Sequence, residues 1–253
     1  MDENVVFQVN NVSKKFCKTL SKSMVYTMKD VLRKIFGLKT HSEKLRKDEF
    51  WSVSNVSFQL KKGETLALIG HNGSGKTTLL QILNGIYTPD KGTIKYRGEM
   101  GALIGVGAGF HPDLTGSENI YVNGAILGMS KKTIDAKYNE IIEFADIGDF
   151  IDTPVKHYSS GMYIRLGFAI SYQMEPDILL IDEVLAVGDE KFRAKCYQAI
   201  NRYKERSAII LVTHDMNMVK KLATKVGVMD HGHLTMFEED PSLGIKHYLD
   251  TMK

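Results

Sequence analysis

The nine residues Gly70–Thr78, GHNGSGKTT, restrict what this chain can fold into more than any other stretch. They follow an apolar run, Thr65–Ile69, that reads as a buried parallel strand. They lead into Thr78-Leu79-Leu80-Gln81-Ile82-Leu83, which has the residues of a helix start. A strand, a glycine-rich turn ending in Lys-Thr and a helix are the parts of a phosphate-binding P-loop. Gly73 and Gly75 allow the backbone to curl until successive N–H groups point inward at phosphate oxygens. The helix N-terminus adds partial positive charge. The stretch therefore implies capture of a nucleoside triphosphate. Gly70, Asn72, Gly73, Ser74, Gly75, Lys76, Thr77 and Thr78 are the candidate nucleotide-binding residues. Lys76 is placed to bridge the β- and γ-phosphates, and the Thr77 hydroxyl to ligate Mg²⁺.

A second apolar run, Ile178–Ile181, delivers two carboxylates, Asp182 and Glu183, at its C-terminal end. Ligands bind at that edge of open α/β sheets. Asp182 is the expected Mg²⁺ partner, and Glu183, directly after it, can poise the attacking water as general base. His214 follows a third apolar run, Ala208–Val212, and stands where a side chain can reach the γ-phosphate region. These runs alternate with helical patterns, so the fold class is α/β with parallel strands.

Length and charge narrow the partners. The 253 residues suit one large α/β domain with a subsidiary lobe. The net charge of +3 makes no general nucleic-acid binder. The charge is unevenly spread: Lys14–Lys47 holds eleven Lys/Arg against two acids, about +9, leaving about −6 elsewhere. Cys17 and Cys196 lack metal-type spacing and suit a reducing cytoplasm. No apolar run approaches the roughly 18–20 residues that span a bilayer. Work at a membrane would proceed from one side and through a partner.

Along the chain, Val5–Val12 and Trp51–Leu60 read as strands, forming an N-terminal antiparallel β portion. Between them, residues 18–50 form a basic insertion. Within it Met24, Val25, Met28, Val31, Leu32, Ile35 and Phe36 fall near helical spacing, with Lys22, Lys29, Arg33 and Lys34 largely between. This basic amphipathic helix either packs on its own domain or faces a membrane surface or partner. Thr93–Tyr96 is a further strand. From about Met100, Gly101, Gly105, Gly107 and Gly109 loosen the chain. Helical patterns at Ser117–Leu127 and Lys131–Phe144 suggest an inserted helical lobe over about residues 100–172. Helices follow at Lys191–Glu205, up to about Leu222 and at Leu243–Met252. Asp230-His231-Gly232 reads as a hairpin turn.

Tyr158-Ser159-Ser160-Gly161-Met162 opens a helix 20 residues before Asp182, with Ser159 able to cap it. Taken with the P-loop, the Asp-Glu strand end, Ala186-Val187-Gly188-Asp189 and His214 in that order, the chain resembles the ABC-transporter ATPases over nearly its whole length. The resemblance implies an ABC-type nucleotide-binding domain and ATP hydrolysis with Mg²⁺. It implies a head-to-tail homodimer in which Tyr158 to Met162 of one subunit meet ATP held by the other, with Ser159 and Gly161 touching the γ-phosphate. Asp189 then corresponds to the D-loop aspartate, Glu183 to the catalytic base and His214 to the switch histidine. Phe16 stands where an aromatic stacks on adenine, with Trp51 as its rival. Ser160 and Met162 replace the usual Gly and Gln of the signature. The glutamine expected before the helical lobe is not evident, its place being taken by Gly107-Ala108-Gly109-Phe110-His111-Pro112.

HYSSGM with its Leu-Gly-Phe-Ala helix, and GAGFHPDLTG followed by Ser-Glu-Asn, are similar to the ATPase subunits of bacterial polysaccharide exporters of the O-antigen and teichoic-acid groups. That similarity implies a peripheral protein on the cytoplasmic face of the cell membrane, working with a separate permease on a lipid-linked polysaccharide of O-antigen, teichoic-acid or capsule type. Some O-antigen members carry a C-terminal carbohydrate-binding domain, which is not expected in this chain. Other lipid or drug cargo, or a soluble non-transport ATPase, are the alternative readings.

Overall fold

A computed structural model of the chain describes residues 4–37, 44–105, 107–182 and 189–251. In chain order, β1 (Val5–Cys17) is followed by α1 (Leu20–Ile35), β2 (Glu49–Lys61), β3 (Thr65–Gly70), α2 (Lys76–Leu83) and β4 (Lys91–Tyr96). Next come β5 (Met100–Leu103), α3 (Gly116–Ile126), α4 (Lys131–Ala145), α5 (Ser160–Ser171) and β6 (Ile178–Ile181). The chain finishes with α6 (Glu190–Tyr203), β7 (Ala208–Val212), α7 (Met216–Leu222), β8 (Lys225–Asp230), β9 (His233–Phe237) and α8 (Pro241–Thr251). Short 3₁₀ turns sit at Gly148–Asp152, Val155–His157 and Tyr172–Met174. These elements fall into two compact units: Met1–Lys61 with Leu66–Arg97 and Val212–Lys253, and Lys62–Thr65 with Gly98–Leu211.

In the first unit β2, β1 and β4 form an antiparallel sheet in that order. Phe7, Val9, Val12, Val53, Val56 and Leu60 are buried along it. β1 runs five residues beyond the expected Val12, because Lys15, Phe16 and Cys17 keep pairing with Trp51, Phe50 and Glu49. β3 is buried along its whole length and pairs in parallel with β8, Gly70 beside Met229. A strand covered on both faces reads as an unbroken apolar run. Ala67, Ile69, Val226 and Val228 of these strands pack with Val219, Ile245 and Tyr248 of α7 and α8. β8 turns back into β9 through His231 (φ 44°) and Gly232 (φ 84°), the two left-handed residues of a tight hairpin.

Helix α1 is tied to its own unit by two ion pairs. Lys22 pairs with Asp48 and Arg46 with Asp30. The Arg46 guanidinium also lies 4.8 Å over the Tyr26 ring, whose hydroxyl donates to Lys47 O (3.1 Å). The apolar stripe faces outward. Leu20 is 79% exposed, Met24 64%, Met28 67% and Ile35 72%, a spacing of four, four and seven residues.

In the second unit β5, β6 and β7 are parallel, Met100 paired with Ile178 and Ile178 with Ala208. Strand β5 corrects the expectation that the chain is simply loosened from Met100. Met-Gly-Ala-Leu carries little strand propensity. Its glycine is explained by Pro176, whose ring a Cβ on Gly101 would approach to 2.8 Å. Helices α3, α4 and α5 enclose a separate core of Ile120, Ile134, Ile141, Ala145, Ile147, Leu166, Ala169 and Ile170. Each starts on a hydroxyl cap. Thr115 forms a full capping box with Glu118, Ser130 accepts from Thr133 N, and Ser159 accepts from Met162 N.

Candidate nucleotide-binding site

The P-loop emerges from β3 with its glycines in conformations other residues resist. Gly73 has φ 80° and Gly75 φ 107°. A Cβ on Gly75 would sit 2.3 Å from Ser52 O, so backbone packs directly on backbone there. The loop is pinned from two sides. Gly232 N donates to Ser74 O (2.9 Å), and Ser52 Oγ to Thr78 Oγ1 (2.9 Å). No side chain caps α2, so its first N–H groups are left to whatever binds the loop. The buried Lys76 ammonium donates to Gly70 O (2.8 Å) and His71 O (3.0 Å). Ser74 Oγ is buried without a hydrogen-bond partner. An uncapped helix start, a buried ammonium and an orphan hydroxyl together fit an oxyanion. Asn72, Gly73 and Thr77 lie exposed on the same loop.

The other expected groups divide as follows. Asp182 sits at the end of β6, partly buried, its N–H on Leu103 O (3.3 Å). Thr77 and Asp182 are both oxygen donors, the chemistry that Mg²⁺ takes. Glu183 and residues 184–188 lie outside the described residues. His214 is exposed at the turn from β7 into α7. That turn is held by Asp215, whose carboxylate accepts from Asn217 N (2.8 Å) and Met218 N (3.2 Å).

At the start of α5, Ser159 and Ser160 are exposed, and a Cβ on Gly161 would meet only Ser159 Oγ at 3.9 Å. Tyr158 and Met162 instead turn into the core of the helical lobe. The Tyr158 hydroxyl donates to Phe150 O (2.7 Å), and burial, aided by Asp152, pushes its pKa up to about 12. Asp189 caps α6, accepting from Phe192 N (2.7 Å), and pairs with Arg165. The Phe192 hydrogen bond first, then Arg165, holds its carboxyl below the usual range. Arg165 was missed in the sequence. It lies four residues after Gly161 on the same helix, so its spacing is the signal that could have found it.

In place of the missing glutamine, Gly107 O accepts from Tyr163 Oη (2.8 Å) and Ala108 O from Asn123 Nδ2 (2.9 Å). A Cβ on Gly107 would come within 2.4 Å of the Tyr163 ring, which accounts for that glycine. His111 Nδ1 accepts from Asp113 N (3.3 Å), and the His111 backbone N–H donates to Asn119 Oδ1 (2.8 Å). Its ring is thus engaged in its own turn.

The two adenine-stacking candidates lie on opposite faces of the β1–β2 ladder. Phe16 pairs with Phe50 and packs edge-on against Tyr87 (5.5 Å). Trp51 pairs with Lys15 on the other face, under the Lys91 ammonium (5.0 Å). Ser52, which holds the P-loop through Thr78, has no sequence signal, being a lone serine on a distant strand.

Comparisons with known proteins agree with this arrangement. The ABC transporter family profile matches residues 53–186. The chain is similar to the O-antigen export system ATP-binding protein RfbB of Klebsiella pneumoniae, 47% identical over 76% of this chain and 78% of the relative. It is also similar to the teichoic acids export ATP-binding protein TagH of Levilactobacillus brevis, 40% identical over 100% of this chain and 67% of the relative. Among solved structures it resembles an ATP-binding subunit of an ABC transporter, with a TM-score of 0.73 at 18% identity, covering 98% of this chain and 97% of the other. It resembles equally the dimeric ATP-binding cassette MJ0796 bound to ADP and Pi, with a TM-score of 0.69 at 20% identity over 91% and 97%. The fold is therefore that of the ATP-binding cassettes, and the chain belongs to the ABC transporter family.

Proposed function

We propose that this chain is the ATP-hydrolysing subunit of an exporter. As a homodimer with a separate membrane permease, it drives a lipid-linked polysaccharide of O-antigen, teichoic-acid or capsule type across the cytoplasmic membrane from its cytoplasmic face. The observation that carries the export reading is α1. A soluble ATPase has no use for Leu20, Met24, Met28 and Ile35 standing in water on one stripe beside a charge-rich flank. A permease offers both an apolar surface and a membrane to dock on. None of the described helices is long and apolar enough to cross a membrane itself. The names of the export-system relatives support the same cargo class.

In this reading the N–H groups of residues 73–77 and the α2 N-terminus cradle the ATP phosphates. Lys76 leaves Gly70 O and His71 O for the β- and γ-phosphates. Thr77 and Asp182 would hold Mg²⁺, which would neutralise phosphate charge. Glu183 takes a proton from water as the water oxygen bonds to the γ-phosphorus. The bond to the β–γ bridging oxygen breaks, and ADP and phosphate leave. His214 orients the γ-phosphate. Ser159 and Gly161, with Ser160 beside them, meet the partner's ATP, while Tyr158 and Met162 keep that helix start in place from behind. Asp189, tethered to Arg165, links the signature helix to the dimer face. Phe16 stacks on adenine, the place the family resemblance gives it, with Trp51 on the opposite face of the ladder.

The test is Glu183→Gln. The variant is expected to dimerise with ATP, measured by size-exclusion chromatography, while phosphate release stops. Unchanged hydrolysis removes Glu183 as the base, and failure of wild type to co-purify with any permease removes the export role.

A further inference from the structure

Three ligand-type side chains, one of them on the P-loop itself, converge at the turn between β8 and β9. His71 Nε2 lies 2.9 Å from Asp230 Oδ1, and His231 Nδ1 lies 2.7 Å from the same oxygen. One ligand atom from each residue falls within 4.8 Å of the other two. The two imidazole rings are 5.1 Å apart. They line a cavity of about 250 Å³ with Met229, Tyr248 and Thr251. All three side chains reach solvent, with 40%, 68% and 82% of their surfaces exposed for His71, Asp230 and His231.

The hydrogen-bond geometry around His71 demands positive charge at this point. Its Nδ1 lies 2.8 Å from Asn72 O, and its Nε2 faces the Asp230 carboxylate. A neutral imidazole has one N–H and cannot serve two oxygens. When Nδ1–H donates to Asn72 O, the Nε2 lone pair points at an anion, a repulsion that either a second ring proton or a cation bound between them removes. A ring held through its other nitrogen by a backbone carbonyl is also the arrangement that orients metal-bound histidines.

We propose that His71 Nε2, Asp230 Oδ1 and His231 Nδ1 bind a first-row transition-metal dication of the Zn²⁺ type. Two imidazoles and one carboxylate suit Zn²⁺ and its neighbours, not the hard Mg²⁺ that takes oxygen alone. Metal bonds of about 2.0–2.1 Å in a tetrahedral site need ligand atoms about 3.4 Å apart. Small rotations of exposed rings achieve this, leaving the fourth position to water. The site differs from that of Thr77 and Asp182 in residues and in donor chemistry. Its consequence is mechanical. His71 belongs to the loop whose carbonyls receive Lys76, and His231 belongs to the turn whose Gly232 donates to Ser74. A bound dication therefore fastens the nucleotide loop to the β8–β9 turn.

The experiment uses untagged, metal-free protein titrated with Zn²⁺ against a chromophoric chelator, and with Co²⁺ while following its visible absorption. One dication per chain is expected, with the intense bands of four-coordinate Co²⁺. His231→Ala and Asp230→Asn are each expected to weaken Zn²⁺ binding about tenfold or more. ATP affinity in Mg²⁺ should stay unchanged in His231→Ala. Wild type that takes up no stoichiometric Zn²⁺ overturns the proposal. So does wild type that binds it no more tightly than His231→Ala, whose substituted side chain is 82% exposed and outside the core.

Discussion

Replacing Met28 and Ile35 together by glutamine isolates what the outward face of α1 is for. Glutamine has helix propensity equal to methionine and better than isoleucine, so α1 should keep its shape. Met28 is 67% and Ile35 72% exposed, so folding has drawn little from either side chain. Fully burying such a side chain is worth about 1.5–3 kcal/mol, of which about two-thirds remains for a partner to gain. That is about 1–2 kcal/mol each, or about 2–4 kcal/mol for the pair. At about 1.4 kcal/mol per decade, the complex with the permease should weaken about 30- to 1,000-fold. The assay is co-purification of the two subunits from detergent-solubilised membranes, beside thermal unfolding and ATP binding of the soluble subunit. Wild-type recovery of the complex refutes the docking role. A thermal midpoint lowered by several degrees refutes the claim that these residues stand outside the core.

Gly75→Ala is expected to abolish ATP binding, measured with a fluorescent nucleotide. The left-handed backbone costs about 1–3 kcal/mol for a non-glycine residue, and the added methyl would lie 2.3 Å from Ser52 O. Normal affinity would show that the loop moves away from β2 at no cost. Tyr158→Phe should lower stability by about 0.5–1.5 kcal/mol through the lost bond to Phe150 O, read by denaturant unfolding. The raised Tyr158 pKa means the folded state holds its proton more tightly. The associated stability is complete below pH about 10 and is lost as pH climbs through about 12, which a phenolate absorbance titration follows. Cys196 is buried, and desolvation pushes its thiol pKa up to about 12. In native protein a disulfide reagent should therefore modify Cys17, which is half-buried, and reach Cys196 only on unfolding.

The sequence by itself determined the elements whose chemistry is local. The P-loop was legible because a phosphate-binding turn requires glycines, lysine and threonine at set spacings between a strand and a helix. β6 was legible because a strand buried on both faces must be apolar throughout. The cap Ser159 stands one residue before its helix, where a hydroxyl can reach the first N–H groups. Amphipathicity located α1 but not its orientation. A stripe of apolar residues marks a face without saying whether the domain or a partner covers it, and the pairs of Lys22 with Asp48 and Arg46 with Asp30 decided that. Only tertiary structure could also set Phe16 and Trp51 on opposite faces, make a strand of Met-Gly-Ala-Leu, and turn Tyr158 and Met162 inward. The same holds for His71 and His231, 160 positions apart in the chain. Parallel pairing of β3 with β8 aligns their C-terminal ends. Side chains that meet there are related by strand register, which no local pattern encodes.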